Sequence, residues 1–183
     1  MWFKSFLVVG VTFLVVSAYA LVVRAQPIAN EDQPAQVVFV CRNGVSMSVW
    51  SAAYFNRLAA ERGLRERAVA RAATPSYTSV PYRMQFALAV DGFRLSGYRP
   101  KVVSPDDVRG AEHVVIVRGT DDTVLPADAL SEAHDSEVWQ GFAVMREHYF
   151  PSRAALRARV EDLIERLAAL KTSLGPTALS RTT

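Results

Sequence analysis

The chain has 183 residues, of which half are apolar and about a fifth are charged. That length and composition fit one globular domain plus a targeting segment, and they exclude two full domains. Apart from Lys4 and Arg24, which belong to the N-terminal segment, 19 basic residues oppose 18 acidic ones, a balance that gives no electrostatic case for nucleic-acid binding.

The first 25 residues have the layout of a secretory signal. Lys4 precedes an apolar run from Phe6 to Val23, and the small residues Val23 and Ala25 suit a signal peptidase. The run of 18 residues is long for a signal core and short for a membrane span, so an uncleaved anchor is the alternative. We favour a cleaved signal. With either a cleaved signal or an uncleaved anchor, the rest of the chain is exported to the periplasm or another extracytoplasmic compartment. Any contact with the membrane is made only through this segment.

The chain after the signal begins with a polar stretch and then becomes strongly patterned. Residues 26–35 contain two prolines and predict a linker, ahead of a domain over 36–172 and a flexible tail over 173–183. The continuous run Val37–Val40 predicts a strand buried on both faces, as in a parallel sheet. Apolar residues at helical spacing from Ser48 to Arg62 predict the first helix.

The later elements alternate between strands and helices. In chain order we predict a strand at Ala68–Ala70, a helix opened by Pro81, a helix opened by Ser104–Pro105, a strand at His113–Val117, a short strand at Val138–Trp139, and a long helix from Pro151–Ser152 with Leu156, Val160, Leu163, Leu167 and Leu170 on its apolar face. This order predicts an α/β fold with a doubly wound, mostly parallel four-stranded sheet and helices on both faces. Ligands of such sheets bind beyond the carboxyl ends of the strands.

The loop after the first buried strand is therefore the candidate site. Its sequence is Cys41-Arg42-Asn43-Gly44-Val45-Ser46-Met47-Ser48. A loop between a strand and a helix N-terminus can turn its backbone N–H groups toward an anion. A cysteine at its start would have a stabilised thiolate and a lowered pKa.

The order strand, Cys, five residues, one key residue, Ser and helix resembles the low-molecular-weight protein tyrosine phosphatase and arsenate reductase superfamily. The resemblance extends over about residues 36–170 and includes Ala53–Ala59, Gly97–Pro100 and the Trp139–Tyr149 stretch. It implies a phosphotyrosine phosphatase I-like fold. It also implies that Cys41 is the nucleophile, that Ser48 stabilises its thiolate, and that the amides from Arg42 to Ser48 hold the phosphate oxygens.

Two groups that this resemblance calls for are missing. The family's arginine, six residues after the cysteine, is replaced by Met47, which cannot grip two phosphate oxygens. The late loop that supplies an aspartate as general acid contains none between Trp139 and Val144. Asp121 and Asp122 are weak candidates for the general acid, and Glu147 and His148 are further ones. Arg42 is a weak candidate to replace the missing phosphate-binding arginine.

Three functions follow from this pattern. The first is a degenerate phosphatase-like domain that binds a phosphate-like anion, a phosphorylated protein or another partner without turnover. The second is a weak cysteine-dependent phosphatase acting through a Cys41 thiophosphate; an arsenate reductase is less favoured because the chain has no resolving cysteine. The third is a structural envelope protein.

The same residues also have ordinary structural interpretations. A lone cysteine after an apolar strand is more often a small core residue, Met47 a gap-filler, and Ser46 or Ser48 a helix cap. The three histidines, which include His113 at a strand start and His134 in a loop, share no metal-ligand spacing. We therefore predict no metal and no cofactor, and the sequence leaves the oligomeric state open.

Overall fold

The computed structural model describes residues 35–74, 77–95, 97–120, 133–145 and 147–174, with the backbone alone for 26–27 and 171–174. Its main sheet has four parallel strands: β2 (Val37–Cys41), β3 (Ala68–Ala72), β5 (His113–Gly119) and β6 (Ser136–Phe142). Their order across the sheet is β3-β2-β5-β6. The predicted α/β architecture is confirmed.

Helices cover both faces of this sheet. They are α1 (Met47–Glu61), α2 (Tyr82–Val90), α3 (Pro105–Arg109) and α4 (Tyr149–Leu174). The larger apolar core holds Trp50, Phe55 and Leu163, which come from α1 and α4, while a smaller cluster on the other face holds Val108 of α3. Every residue of β2 is buried, because this central strand has helices on both sides.

A second, two-stranded sheet lies outside the main one. Its strands are β1 (Gln26–Pro27) and β4 (Phe93–Arg94), which pair in parallel with Gln26 opposite Phe93. Two residues of the predicted linker are thus tied to the domain directly after α2.

Several element ends differ from the predicted ones. Strand β6 is longer than Val138–Trp139, because its pairing partner β5 continues to Gly119. Helix α4 begins at Tyr149, two residues before Pro151, since proline fits the first turn of a helix. Leu170, predicted on the apolar face of α4, is 58% exposed.

Within the described residues, none of the helices combines the length and apolar character needed to cross a bilayer. The predicted signal or anchor over residues 1–25 and residues 175–183 of the predicted tail lie outside the described residues.

Candidate functional site

Cys41 and Ser48 meet at the carboxyl edge of the main sheet. Cys41 is the last residue of β2, and Ser48 lies in the first turn of α1. The Cys41 Sγ and Ser48 Oγ atoms are 3.0 Å apart, and both residues are buried. The Ser48 hydroxyl therefore contacts the sulfur, and neither Ser46, the residue preceding α1, nor Ser48 acts as a side-chain cap of this helix. A hydroxyl at this place can donate a hydrogen bond to a thiolate.

The carbonyl groups of the loop are held by neighbouring elements. The Cys41 carbonyl accepts from the amide of Ala73, and the Arg42 carbonyl accepts from both the amide and the hydroxyl of Thr74. The Tyr98 hydroxyl donates to the Gly44 carbonyl over 2.6 Å. These hydrogen bonds hold the loop carbonyls against the residues that follow β3 and against Tyr98.

Several amides of the same loop lack a main-chain acceptor among the described residues. Among the described residues, no main-chain carbonyl accepts a hydrogen bond from the amides of Gly44, Val45, Met47 or Ser48. Such donors are the unpaired first-turn groups of a helix, and they carry its positive dipole end. Gly44 has a φ of 63°, and a Cβ on it would lie 3.0 Å from the Ala72 Cβ. Only glycine fits this turn without strain.

Met47 occupies the position of the family's arginine and is directed into the protein. Its side chain is 8% exposed and belongs to the larger apolar core. A Cβ built on Gly119, at the end of β5, would lie 3.9 Å from the Met47 methyl carbon. The side chain thus packs between α1 and the carboxyl ends of β5 and β6, and it brings no charge to the loop.

The remaining predicted site residues lie at the rim or outside the described residues. Arg42 is exposed and Asn43 is half-buried, whereas Val45 and Gly44 are buried. Asp121 and Asp122 fall outside the described residues. Glu147 and His148 are exposed just before α4, after the carboxyl end of β6. The predicted late loop from Trp139 to Val144 is mostly strand, because Trp139 to Phe142 belong to β6, and residues 139–145 contain no carboxylate.

A second buried polar group, the Asp91 cluster of Asp91, Trp50, Tyr149 and Arg153, was not anticipated from the sequence. The Asp91 carboxylate accepts from the Trp50 indole over 2.7 Å and from the Tyr149 hydroxyl over 2.6 Å, and it pairs with Arg153. Burial, followed by the hydrogen bond to Asp91, raises the pKa of Tyr149 above its usual value, so the hydroxyl stays protonated. The cluster joins α1, the end of α2 and α4.

His113 is also engaged at the opposite edge of the sheet. Its two ring nitrogens lie 2.6 Å from Asp135 Oδ2 and 2.9 Å from Glu137 Oε1. Burial alone would raise the pKa of Glu137, but hydrogen bonds from His113 and Arg166 outweigh it and lower that pKa. In the described part of the chain, no three His, Cys, Asp or Glu side chains gather as a metal site would require.

Solved structures share this architecture at low sequence identity. YfkJ from Bacillus subtilis superposes with a TM-score of 0.61 and 16% identity over 78% of this chain and 99% of its own. An arsenate reductase from Archaeoglobus fulgidus superposes with a TM-score of 0.51 and 21% identity, over 73% of this chain and 98% of its own. A YwlE mutant from Bacillus subtilis superposes with a TM-score of 0.58 and 16% identity, over 73% of this chain and 99% of its own.

No protein-family model matches the sequence, and none of the curated proteins matches it. The structural neighbours are all of the low-molecular-weight phosphatase and arsenate reductase superfamily. The chain therefore has the fold of that superfamily, as the loop and strand pattern predicted, and at these identities the likeness concerns the fold alone.

Proposed function

We propose that this protein is an exported domain that binds a phosphate-like oxyanion, free or on a phosphorylated protein, in the loop from Cys41 to Ser48. The observation that carries the proposal is that the carbonyls and the amides of the loop differ in their hydrogen bonding. Loop carbonyls accept hydrogen bonds from Ala73, Thr74 and Tyr98, while no carbonyl of a described residue accepts from the amides of Gly44, Val45, Met47 and Ser48. Buried donors without acceptors are unfavourable, so an anion would stabilise this arrangement.

Met47 favours binding over turnover. A guanidinium at this position would hold two oxygens of the transferring phosphoryl group, and losing one preorganised donor of this kind costs on the order of 10²–10³ in rate. The apolar packing of Met47 beside Gly119 offers nothing in its place. The described late loop supplies no acid for the leaving group.

A weak cysteine-dependent phosphomonoesterase is the second candidate, and the 3.0 Å contact between Cys41 Sγ and Ser48 Oγ favours it. In that reaction the sulfur would attack phosphorus, the ester P–O bond would break, and the alcohol would leave after gaining a proton. Water would then hydrolyse the S–P bond to release inorganic phosphate and restore the thiol.

The test is a titration of the isotopically labelled protein with inorganic phosphate and with vanadate. We expect the amide resonances of Gly44, Val45 and Ser48 to shift together, and those of the distant Gly63 to stay unchanged. Shifts spread over the surface, or none at all, would contradict an oxyanion site in this loop.

Met47→Arg separates binding from catalysis. A charged donor should strengthen vanadate binding about tenfold or more, and it should raise p-nitrophenyl phosphate hydrolysis to a rate that Cys41→Ser abolishes. Met47→Leu, which keeps the apolar packing, is the matched control and should resemble the wild type. Hydrolysis by the wild type as fast as by Met47→Arg would favour the phosphatase instead.

A further inference from the structure

The outer face of α2 carries an exposed apolar stripe, formed by Tyr82, Phe86 and Val90. These residues are 79%, 63% and 61% exposed and recur every four positions, so they share one side of the helix. The opposite side, with Met84 and Leu88, is buried in the core. A helix that is apolar on both faces is normally covered on both.

A third exposed ring lies in the helix turn next to the end of α2. Phe150 opens α4 and is 66% exposed. Its neighbour Tyr149 donates to the Ala87 carbonyl, which brings the first turn of α4 against the last turn of α2. The apolar surface therefore extends across two helices.

The chain segment that carries this surface is basic. Residues 80–101 contain Arg83, Arg94, Arg99 and Lys101, and their only acid is Asp91, whose carboxylate is buried and paired with Arg153. The segment that carries the apolar rings thus has a net positive charge. That combination suits the surface of an anionic bilayer, into which rings insert while arginines meet phosphate headgroups.

The route of the chain points to the same partner. Strand β1 begins at Gln26 and pairs with β4, three residues beyond Val90. Only Arg24 and Ala25 stand between Gln26 and the apolar run ending at Val23. Two extended residues span at most about 7 Å, so a membrane-embedded run would hold this corner of the domain against the bilayer.

We infer that residues 6–23 are retained as an anchor and that the α2 stripe, with Phe150, rests on the anionic bilayer surface. This departs from the cleaved signal that the sequence favours, because cleavage would leave the stripe uncovered. It is independent of the oxyanion site.

The first test is the intact mass of the protein recovered from bacterial membranes. Retention predicts the full chain in the membrane fraction. A soluble product that begins near Gln26 would overturn the inference.

The second test uses the full chain in vesicles of phosphatidylcholine and phosphatidylglycerol. An environment-sensitive fluorophore is attached at Phe86→Cys, and in a matched control at Ala158→Cys on the exposed face of α4, both in a Cys41→Ala background. We expect quenching by spin-labelled lipid at position 86 and none at 158. Equal quenching at both positions would contradict the docked geometry. Shielding at 86 without lipid quenching would mean that another segment or a second copy covers the stripe.

The charge contribution is tested with Arg83→Gln combined with Arg94→Gln. Each arginine near an anionic surface should change the odds of contact roughly fivefold, so the double variant should lose most of the quenching at position 86. Replacing phosphatidylglycerol by phosphatidylcholine should have the same effect. Quenching unchanged by either substitution would overturn the electrostatic part of the proposal.

Discussion

Two buried polar groups contact the same helix, α1, and they differ in how their hydrogen bonds are completed. In the Asp91 cluster, one carboxylate accepts from Trp50, Tyr149 and Arg153. In the loop before α1, the amides of Gly44 and Val45 have no carbonyl acceptor among the described residues. The comparison teaches that a completed network stabilises the fold by itself, whereas amides that lack a carbonyl acceptor can still accept a further partner, which is the basis of the proposed oxyanion site.

The largest effect is expected from Asp91→Ala. It leaves the Trp50 indole N–H without its acceptor and the Tyr149 hydroxyl with the Ala87 carbonyl alone, and it should lower the free energy of unfolding by about 3 kcal/mol. Arg153 is more than a third exposed and adds little to this figure, because water can solvate it. Urea denaturation measures the change.

The matched control is Asp162→Ala. Its carboxylate is 62% exposed and pairs with Arg166 on one helix, so we expect a loss of less than about 0.5 kcal/mol. If both variants unfold at the same urea concentration, the Asp91 cluster does not hold α1, α2 and α4 together.

A smaller effect, but one that reaches the loop, is expected from Gly44→Ala. A φ of 63° and a contact of 3.0 Å with Ala72 should together cost about 2 kcal/mol and displace the loop amides. Gly63→Ala has a similar φ of 68° and nothing within 4 Å, so it should cost only about 1 kcal/mol. Thermal unfolding and vanadate titration of both variants distinguish the clash from the backbone strain. A Gly44→Ala protein that binds vanadate normally would show that the loop does not hold the anion.

The smallest effect is expected from Tyr98→Phe. It removes the donor to the Gly44 carbonyl, lowering the free energy of unfolding by about 1 kcal/mol and weakening oxyanion affinity severalfold, because the loop is then less fixed. Tyr77→Phe, at a tyrosine that is 41% exposed, is the control and should change neither quantity. Unchanged affinity in Tyr98→Phe would mean that the amides are positioned without this tether.

Local patterns predicted most of the fold. The β-branched run of β2 and the helical spacing of α1 each depend on residues that are close in sequence, so periodicity alone identifies them. The start of α3 is similar, because Ser104 and Asp107 form a capping box within four residues. The candidate loop was likewise identified from residues close in sequence, by the spacing of Cys41 and Ser48 between a strand and a helix.

What the sequence could not predict depends on distant contacts. Trp50 and Tyr149 reach Asp91 from 41 and 58 positions away, and no local pattern joins them. The two-residue strands β1 and β4 are too short for any alternation to appear. The direction of the Met47 side chain, toward Gly119, also depends on the packing of α1 against β5.

The parallel order of the sheet has a consequence for the sequence of folding events. Strand β2 pairs with β3 through Val37 and Ala68, but with β5 through Val37 and His113, more than twice as far along the chain. Closing the longer loop costs about 0.8 kcal/mol more entropy, so we expect the β2–β3 pair to precede β5. Because Met47 packs beside Gly119, the end of the candidate loop gains this contact only in the later step.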